Sequence, residues 1–354
     1  MRFRRLLALA AGAALVGSSV LAAPAAHATP RTDIRKPVAT GHANPGLIHT
    51  GKHWVMLTTG KWSERGTIST ASALAGKWKS TGKPLLAKRP GWMSKTDRSV
   101  WAPSITRATD GRYVVFYAGV VAGRGDQRCI GTGHGASPYG NFTPSDQPIA
   151  CWKGSGTKPA DTIPKLGGKR AFSVIDATPV KIGNELLLTY KTQHRTSDRP
   201  VRWRTIQRMV RLNPDNPEKI VANPVRANGG SIILADVTGG GIEENPSLVK
   251  HGNRYTLFTS WGLYGTCDYH TRYRQNAKLW TDSWQKKSTT RLAVPAKTCG
   301  SGNAQVVKGV PKDSWRIAFN GHPDKETKYG PDGLYIGALV WTKDGKPRIH
   351  SLLG

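Results

Sequence analysis

Short runs of apolar residues recur along most of the chain, and each is bounded by turn-forming residues. Examples are Trp54–Leu57, Tyr113–Tyr117, Leu186–Tyr190 and Tyr255–Phe258. Runs of this length between turn residues are typical of strands, whereas an amphipathic helix would space its apolar positions three and four residues apart. Helical spacing is almost absent beyond the N-terminus. The pattern therefore predicts an all-β chain.

Some of these runs belong to a longer repeat. It comprises four clear segments and a weaker fifth, at residues 44–57, 102–117, 177–190, 245–258 and 303–319. Most of the segments contain a proline, a short strand, a glycine turn and a second strand led by an aromatic residue or leucine. Each segment is therefore predicted to be a hairpin of two antiparallel strands.

A proline near the start of each segment sets the register of the repeat. Proline cannot donate to a β ladder, so it suits the first residue of a strand. We align Pro45, Pro103, Pro179 and Pro246, with Ala304 in the fifth place. Five units with room for about four strands each predict a five-bladed β-propeller. The alternative is a β-sandwich with chance hairpins, which at this length would need two domains, and no linker is evident.

One long apolar stretch stands apart from the repeat, at the N-terminus. Three arginines among the first five residues precede the apolar stretch Leu6–Leu21, and residues 26–28 fit the small-x-small cleavage rule. We expect residues 1–28 to be a cleaved secretory signal peptide and residues 29–354 to form one propeller domain. The protein is then extracellular and has left the membrane after processing. A retained membrane anchor is the alternative, but the stretch is short for a span.

The charge is strongly positive. The 354 residues include 52 Lys and Arg against 22 Asp and Glu, a formal net charge of +30. Such a charge attracts polyanions, for example an anionic cell-wall polymer. Basic clusters lie at Lys77–Lys79, Arg195–Arg204 and Arg272–Lys278. The alternative is that these residues only solubilise the surface. No nucleic-acid-binding motif is present.

Four cysteines lie in the part of the chain expected to be exported, where disulfides persist. They are Cys129, Cys151, Cys267 and Cys299. Three pairings are open, and pairing of sequence neighbours closes the shortest loops. Four buried free thiols are the alternative. Metal binding by cysteine is not expected, because no C-x-x-C spacing occurs.

Polar residues stand one to three positions ahead of three repeat prolines. They are Asn44, Asp176 and Glu244. In a propeller the first strand of each blade lines the central channel, so these side chains would converge at one mouth of it. Two carboxyl groups in one pocket suit glycoside hydrolysis, in which one donates a proton to the leaving oxygen and another group activates water. The alternative is that the acids only cap turns.

The segments occur in a characteristic order. They are NPGLIHTGKHWVMLTTG, WAPSITRATDGRYVVFYAG, SVIDATPVKIGNELLLTYKT and EENPSLVKHGNRYTLFTSWG, with GSGNAQVV as a weaker fifth. In their order and spacing they resemble glycoside hydrolase family 43, over about residues 40–345. Members of that family are five-bladed propellers that cleave arabinofuranosyl and xylosyl linkages. The resemblance implies a polysaccharide substrate of the arabinan, arabinoxylan or xylan type and a monomeric enzyme.

The resemblance also implies roles for particular residues. Glu244 matches the general acid of the family, and Asp176 matches the acid that tunes the pKa of the general acid and orients it. Trp101 matches an aromatic residue that lines the sugar site, although packing within a blade is the alternative for it. Members of the family invert configuration, so acid and base should stand about 6.5–9.5 Å apart with water between them.

Two positions depart from the family pattern. The family places its general base, an Asp, where this chain has Asn44, and an amide cannot take a proton from water. Replacement bases near the site in sequence are Asp97 first, then His42, with Asp33 and His322 further candidates.

The second departure is Asn303. Related arabinanases place a His there, near an ion bound in the channel. The resemblance therefore leaves open a bound calcium or other ion and assigns no metal ligand in this chain. Asn303 and His322, from the last segment, are expected to contact substrate.

Two functions follow from these observations. The first is a secreted glycosidase with Glu244 as acid and Asp176 as its partner. The second is a propeller that binds a carbohydrate or polyanion but has lost efficient hydrolysis. The two functions differ in whether the site can hydrolyse its ligand efficiently, and the amide of Asn44 in place of a general base is the feature that bears on this.

Overall fold

The computed structural model describes residues 36–164, 172–295, 298–309, 314–322 and 333–354. The predicted signal peptide, residues 1–28, and the candidate base Asp33 lie outside the described residues. Secretion and the domain boundary at residue 29 therefore stay predictions. Within the described ranges, no helix has the length and apolar character needed to cross a membrane.

The described residues form strands and one short 3-10 helix. The first twelve strands are β1 (Ala39–Thr40), β2 (Gly46–His49), β3 (Trp54–Leu57), β4 (Gly60–Lys61), β5 (Ile68–Ala71), β6 (Lys79–Ser80), β7 (Ser99–Arg107), β8 (Tyr113–Val120), β9 (Arg128–Gly135), β10 (Thr143–Pro144), β11 (Ala150–Trp152) and β12 (Asp161–Ile163). The next eight are β13 (Phe172–Ile182), β14 (Glu185–Asp198), β15 (Val201–Leu212), β16 (Ile220–Val221), β17 (Ile232–Gly239), β18 (Ile242–His251), β19 (Arg254–Gly262) and β20 (His270–Asn276). The 3-10 helix Asp282–Lys286 follows, then β21 (Thr290–Arg291), β22 (Cys299–Lys308), β23 (Trp315–His322), β24 (Gly333–Trp341) and β25 (Pro347–Leu353).

These strands make five sheets that follow one another along the chain. The first sheet has the order β2-β3-β5-β6, and the second has β12-β11-β9-β8-β7-β4 with β10 beside β9. The third is β13-β14-β15-β16 with β17 beside β15, and the fourth is β18-β19-β20-β21. The fifth is β1-β24-β23-β22 with β25 beside β24. Nearly all neighbouring strands are antiparallel, as the hairpin repeat predicts; the pair β11 and β12 is parallel.

The sheets are arranged in a ring. Their inner strands β2, β7, β13, β18 and β22 contact one another in that order, and β22 contacts β2 again. Apolar cores fill the spaces between neighbouring sheets. One core joins the first three sheets, and others join the third to the fourth, the fourth to the fifth and the fifth to the first. This radial arrangement is an all-β propeller, so the prediction of an all-β propeller is confirmed, while the prediction of five blades stays a prediction.

The ring is closed by the chain ends. Strand β1, near the N-terminus, pairs with β24 through Ala39 opposite Leu334 and Thr40 opposite Gly333. The last sheet is therefore built from both ends of the described chain, which leaves fewer unpaired edges and ties the sheets into one unit.

A backbone irregularity recurs within four of the inner strands and just before the fifth, β2. Five residues other than glycine adopt left-handed φ angles there: Asn44 (52°), Ala102 (42°), Asp176 (60°), Asn245 (53°) and Asn303 (54°). Two residues further on, the regular pairing with the second strand begins or resumes in each sheet. Asn and Asp tolerate this conformation better than most residues, which explains four of the five identities.

This irregularity corrects the register drawn from the prolines. Pro45, Pro103 and Pro246 each follow the left-handed residue directly, but in the third sheet that place belongs to Ala177. Pro179 lies two residues further along, inside the ladder opposite Leu188. The sequence alignment failed here because proline is only one of the residues that fit the position. Asn44 and Asp176 are therefore structural equivalents, and Glu244 lies one position earlier.

Glycine permits the closest approach between two inner strands. A Cβ atom at Gly46 would lie 2.1 Å from the Pro103 carbonyl oxygen of the next sheet. Any larger residue would push β2 and β7 apart. The channel is thereby kept narrow, with Asn44 and Ala102 on neighbouring inner strands at its mouth.

Candidate active site

Asp176 and Glu244 meet at one point, although 67 residues separate them in the sequence. The Nζ atom of Lys191 lies 3.1 Å from Asp176 Oδ2 and 2.6 Å from Glu244 Oε2. The two carboxylate oxygens can therefore be no further apart than the sum of these distances. The predicted convergence of the third and fourth units is observed between these two residues.

Lys191 belongs to β14, the second strand of the third sheet. It pairs across the ladder with Ile175, the residue before Asp176, and its side chain is fully buried. A buried ammonium is stable only where carboxylates compensate it. The two acids and the lysine therefore form one charged unit at the axis.

The electrostatics of this unit have clear causes. Burial raises the pKa of Asp176, and the nearby Glu244 charge adds to that rise, while Lys191 and the Asn245 N–H oppose it. Burial alone would lower the pKa of Lys191, but the charges of Asp176 and Glu244 outweigh it and leave that pKa above its ordinary value. Lys191 therefore remains a cation, and Asp176 holds a proton more readily than a solvated aspartate.

Tyr269 holds the other oxygen of Glu244. Its hydroxyl lies 2.6 Å from Glu244 Oε1 and also within hydrogen-bond distance of Asn303 Oδ1, so its single proton serves one acceptor at a time. Burial and the Glu244 charge raise the pKa of Tyr269 well above 10.0, so the phenol stays a donor. Gly302 makes room for this ring, because a Cβ there would lie 2.1 Å from ring atom Cε1.

A chain of amides continues from Tyr269 around the axis. Asn245 donates through Nδ2 to the Tyr269 hydroxyl (3.1 Å) and to Asn303 Oδ1. Asn303 Nδ2 lies 3.4 Å from Asn320 Oδ1, and that oxygen accepts the backbone N–H of Asn44 at 2.9 Å. The left-handed residues of the first, fourth and fifth sheets are thus linked to Glu244 through hydrogen bonds.

Asn44 lies in this ring as predicted, with its side chain fixed. Its Nδ2 donates to Thr59 Oγ1 at 2.9 Å, and the same oxygen accepts the Ala102 N–H at 3.0 Å. A narrow cavity of about 30 Å³ is lined by residues of all five sheets, including Asn44, Asp176, Asn245 and Asn303. The cavity brings Asn44 and Asp176 together, and Glu244 is tied to Asp176 through Lys191.

His42 lies two residues before Asn44. Its carbonyl accepts the Asn320 amide at 2.8 Å, which ties it to the same network. Burial lowers the pKa of His42, so its imidazole is neutral near pH 7. Its Nδ1 atom is buried and has no hydrogen-bond partner among the described residues.

Asp97, the other leading candidate base, is engaged elsewhere. It accepts the Ser99 N–H at 2.8 Å and the Ser99 hydroxyl, and it lies 3.7 Å from Arg128. Burial acts to raise the pKa of Asp97, but these hydrogen bonds and the Arg128 charge outweigh it and lower the pKa. A carboxylate stabilised in this way is a weak base.

Trp101 occupies the position in the second sheet that Glu244 occupies in the fourth. Its side chain is 39% exposed, and the Arg128 guanidinium lies 3.6 Å from the ring centroid. Burial lowers the pKa of Arg128 to about 10. Packing within the sheet does not account for such exposure, so the ring has a face available to a ligand.

Glu243 is adjacent to Glu244 but has a different role. It is fully buried and forms ion pairs with Arg272 and, at 2.6 Å, with Arg274. The Thr259 hydroxyl donates to it at 2.7 Å. Its oxygens are therefore committed to holding the fourth sheet together.

The remaining predicted residues belong to the fifth sheet. Asn303 is buried in the amide chain, so its side chain orders the site. His322 is also buried and pairs across the ladder with Cys299, at the end of the sheet nearest Asn303. Cys299 is bonded to Cys267, and Cys129 is bonded to Cys151. The pairing of sequence neighbours is confirmed.

Sequence reasoning missed Lys191, Tyr269 and Asn320. Lys191 stands in an otherwise apolar strand pattern, LLLTYKT, and a charged residue there is the one signal that could have indicated it. Nothing near Tyr269 or Asn320 in the sequence marks them. Within the described ranges, no group of three His, Cys, Asp or Glu side chains could hold a metal ion.

Comparisons with known proteins identify the family of the chain. The family model described as glycosyl hydrolases family 43 matches residues 34–347. A curated protein of Aspergillus flavus, named probable arabinan endo-1,5-alpha-L-arabinosidase C, is 26% identical over 224 residues. That match covers 62% of this chain and 58% of the relative, so the chain matches under two thirds of the relative's length.

Solved structures share the fold. An endo-1,5-alpha-L-arabinanase of Thermotoga petrophila superposes with a TM-score of 0.63 at 15% identity, covering 89% of this chain and 74% of that one. An alpha-L-arabinofuranosidase of Lactobacillus brevis superposes with a TM-score of 0.61 at 14% identity, covering 89% and 95%. At such identities the likeness establishes the fold alone.

Proposed function

Because the chain belongs to glycosyl hydrolase family 43, we propose that it hydrolyses arabinofuranosyl or xylosyl linkages in a polysaccharide. The observation that carries this proposal is the meeting of Asp176 and Glu244 around Lys191. Two acids from different sheets share one buried lysine, which brings the proposed proton donor Glu244 next to Asp176, as the family resemblance implies. The names of the curated relatives, which refer to arabinan, support a substrate of the arabinan, arabinoxylan or xylan type.

In this proposal Glu244 is the general acid. It gives a proton to the glycosidic oxygen as the bond to the sugar carbon breaks. Asp176 lies against the same ammonium, so it holds the Lys191 side chain in place beside Glu244. Lys191 and Tyr269 fix the two oxygens of Glu244, so they are positioning residues.

The attacking water needs a base on the other face of the sugar. The amide of Asn44 cannot serve, since it has no lone pair basic enough at neutral pH. We assign this role to His42, whose neutral imidazole has an unpaired buried nitrogen. Asp97, held by Ser99 and Arg128, is less suited. Inversion of configuration follows if water and leaving group occupy opposite faces.

A second function is favoured by a specific observation. Both oxygens of Glu244 accept hydrogen bonds, one from an ammonium and one from a phenol, and this arrangement suits an ionised carboxylate better than a proton donor. With Asn44 in place of a base, the pocket would then bind a carbohydrate or an anionic cell-wall polymer and hydrolyse it slowly. The net charge of +30 supports the anionic partner.

The wider architecture is proposed on the same grounds. We propose that the five sheets are the five blades of one propeller and that residues 29–354 form one monomeric domain. We propose further that residues 1–28 direct export and are removed, leaving an extracellular protein. The arginine-led apolar stretch and the disulfides support secretion.

The test compares the chain from residue 29 with its Glu244→Gln variant. Both are assayed on nitrophenyl arabinofuranoside, nitrophenyl xyloside, linear arabinan and xylan. We expect hydrolysis of at least one substrate and its loss by a factor of about 100 or more in the variant. Hydrolysis that is equal in both proteins would refute the role of Glu244. Retention of the polymer without hydrolysis would establish the second function instead.

A further inference from the structure

A second cavity lies away from the candidate active site. Its volume is about 510 Å³, which falls within the range of small-molecule sites. Its lining comes from the first, third, fourth and fifth sheets and comprises Leu47–His49, Trp54, Pro179–Gly183, Val249, Lys250, Gln305–Lys308 and Trp315. All of these residues belong to the described part of the chain.

The cavity opens at the opposite end of the inner strands. In each of the four contributing sheets the lining begins two to four residues after the left-handed position, and Lys250 and Lys308 follow that position by five. At about 3.3 Å per strand residue, these two lie on the order of 15 Å from it. Gln305 lines both this cavity and the narrow axial one. It seals the space between them by hydrogen bonding with Leu47, whose N–H donates to Gln305 Oε1 at 2.6 Å.

The walls are apolar and the rim is cationic. Leu47, Ile182, Val249 and Val306 are buried aliphatic side chains of the lining. Every ionisable lining residue is a lysine or a histidine: Lys181, Lys250, Lys308 and His49. No carboxylate lines the cavity, and no described acid forms an ion pair with Lys181 or Lys250. The side chains of Lys181 and Lys250 are exposed, so a negative group can reach them at the rim while its apolar part contacts the walls.

We propose that this cavity binds an organic anion with an apolar body. Lys181 and Lys250 hold the carboxylate, sulfate or phosphate group, and the aliphatic walls take the hydrocarbon. The indole of Trp54, which also contacts the His49 ring at a centroid distance of 5.0 Å, supplies a flat apolar surface. Such a ligand fits because it matches the charge of the rim and the walls together, which a neutral sugar would not. The proposal is independent of the hydrolytic function.

The first test uses the fluorescence of anilinonaphthalene sulfonate with the folded chain. We expect saturable binding in the micromolar range that dodecanoate competes away, while uncharged N-phenylnaphthylamine and dodecanol bind at least tenfold more weakly. Equal binding of the charged and uncharged probes would overturn the proposal. So would an absence of saturable binding.

The second test changes the site. The double variant Lys181→Gln, Lys250→Gln should weaken binding about tenfold. The control Lys88→Gln, Lys95→Gln removes the same charge from residues that do not line the cavity, and it should leave binding within twofold. Val180→Trp should abolish binding by filling the space. If the lysine variant matches the control, or the filled variant binds normally at an unchanged Tm, the proposal is wrong.

Discussion

The Lys191 ammonium lies 2.6 Å from Glu244, and its side chain is completely removed from solvent. A cation in this position is the centre of the site, because Asp176 contacts the same nitrogen atom from the third sheet. Buried ion pairs are held strongly only when each charge keeps its partners. The geometry of the two acids therefore depends on a lysine that directly follows the repeat segment 177–190.

Lys191→Met should destabilise the protein by about 3 kcal/mol at pH 7, since two carboxylates would remain without their cation. The loss of unfolding free energy should be smaller at pH 4.5. Burial raises the pKa of Asp176 and Lys191 opposes that rise, so without Lys191 the folded state binds a proton that the unfolded state releases. Stability then falls as pH rises through the folded pKa. Urea unfolding at both pH values measures this. An exposed control, Lys343→Met, should show no such pH dependence.

The wild-type protein should lose stability at high pH. The pKa of Lys191 is raised above 10.5 in the folded state by the two acids, despite burial. The stabilisation from this lysine is therefore complete below pH 10.5 and is lost as pH rises through its folded pKa. The urea midpoint should fall more steeply above pH 10.5 in the wild type than in Lys191→Met. Parallel curves would contradict the assignment.

Asn44→Asp should raise turnover by about 100-fold or more if the position can supply a base. The backbone permits the change, because Asp tolerates the left-handed conformation that Asn44 adopts. Thr59 can donate to the new carboxylate while it accepts the Ala102 N–H. The measurement is kcat on nitrophenyl arabinofuranoside. In the wild type, His42→Gln should lower kcat by a similar factor; an unchanged kcat would remove His42 as the base.

Glu243→Gln should affect the fold rather than the chemistry. It leaves Arg272 and Arg274 partly buried with less compensating charge, at a cost of about 3 kcal/mol. Activity per folded molecule should change by less than about threefold. Glu244→Gln is the matched comparison and should show the reverse pattern. Urea unfolding and kcat of both variants distinguish the two glutamates, and a loss of kcat in Glu243→Gln alone would exchange their roles.

If Trp101 lines the sugar site, as the family resemblance implies, Trp101→Ala should raise KM about tenfold with little effect on kcat, because the exposed ring would contact a bound sugar and not the reacting atoms. Trp101→Phe keeps an aromatic face, so its KM should rise less than that of Trp101→Ala. Steady-state kinetics on linear arabinan measure the split. A fall in kcat at constant KM would instead place Trp101 among the groups that act on the transition state.

Removal of either disulfide should lower stability, but only removal of the second should also lower kcat/KM. Removing Cys129 and Cys151 together should cost about 3 kcal/mol and leave kcat/KM unchanged, since this bond lies within the second sheet. Removing Cys267 and Cys299 should lower both quantities, because this bond joins the segment before Tyr269 to the strand that carries Asn303. Equal kcat/KM losses in the two double variants would show that the second bond has no special link to the site.

The sequence by itself determined the strand pattern, the repeat and the candidates Asp176 and Glu244. Strand periodicity and turn residues are local signals. The number of repeated units indicates how many similar sheets pack against one another. Asn44 could be identified because it directly precedes Pro45, where the resemblance to the family places the general base. The sequence also favoured the pairing of neighbouring cysteines, because that pairing closes the shortest loops.

Tertiary structure alone decided how these residues act. Lys191 reaches the acids because β14 pairs with β13 in a particular register, and Tyr269 reaches Glu244 because Gly302 on another sheet leaves space for its ring. The error at Pro179 has the same origin: the left-handed backbone at Asp176, and not a proline, marks the start of the inner ladder. Contacts between distant segments depend on packing around an axis, which no local pattern encodes.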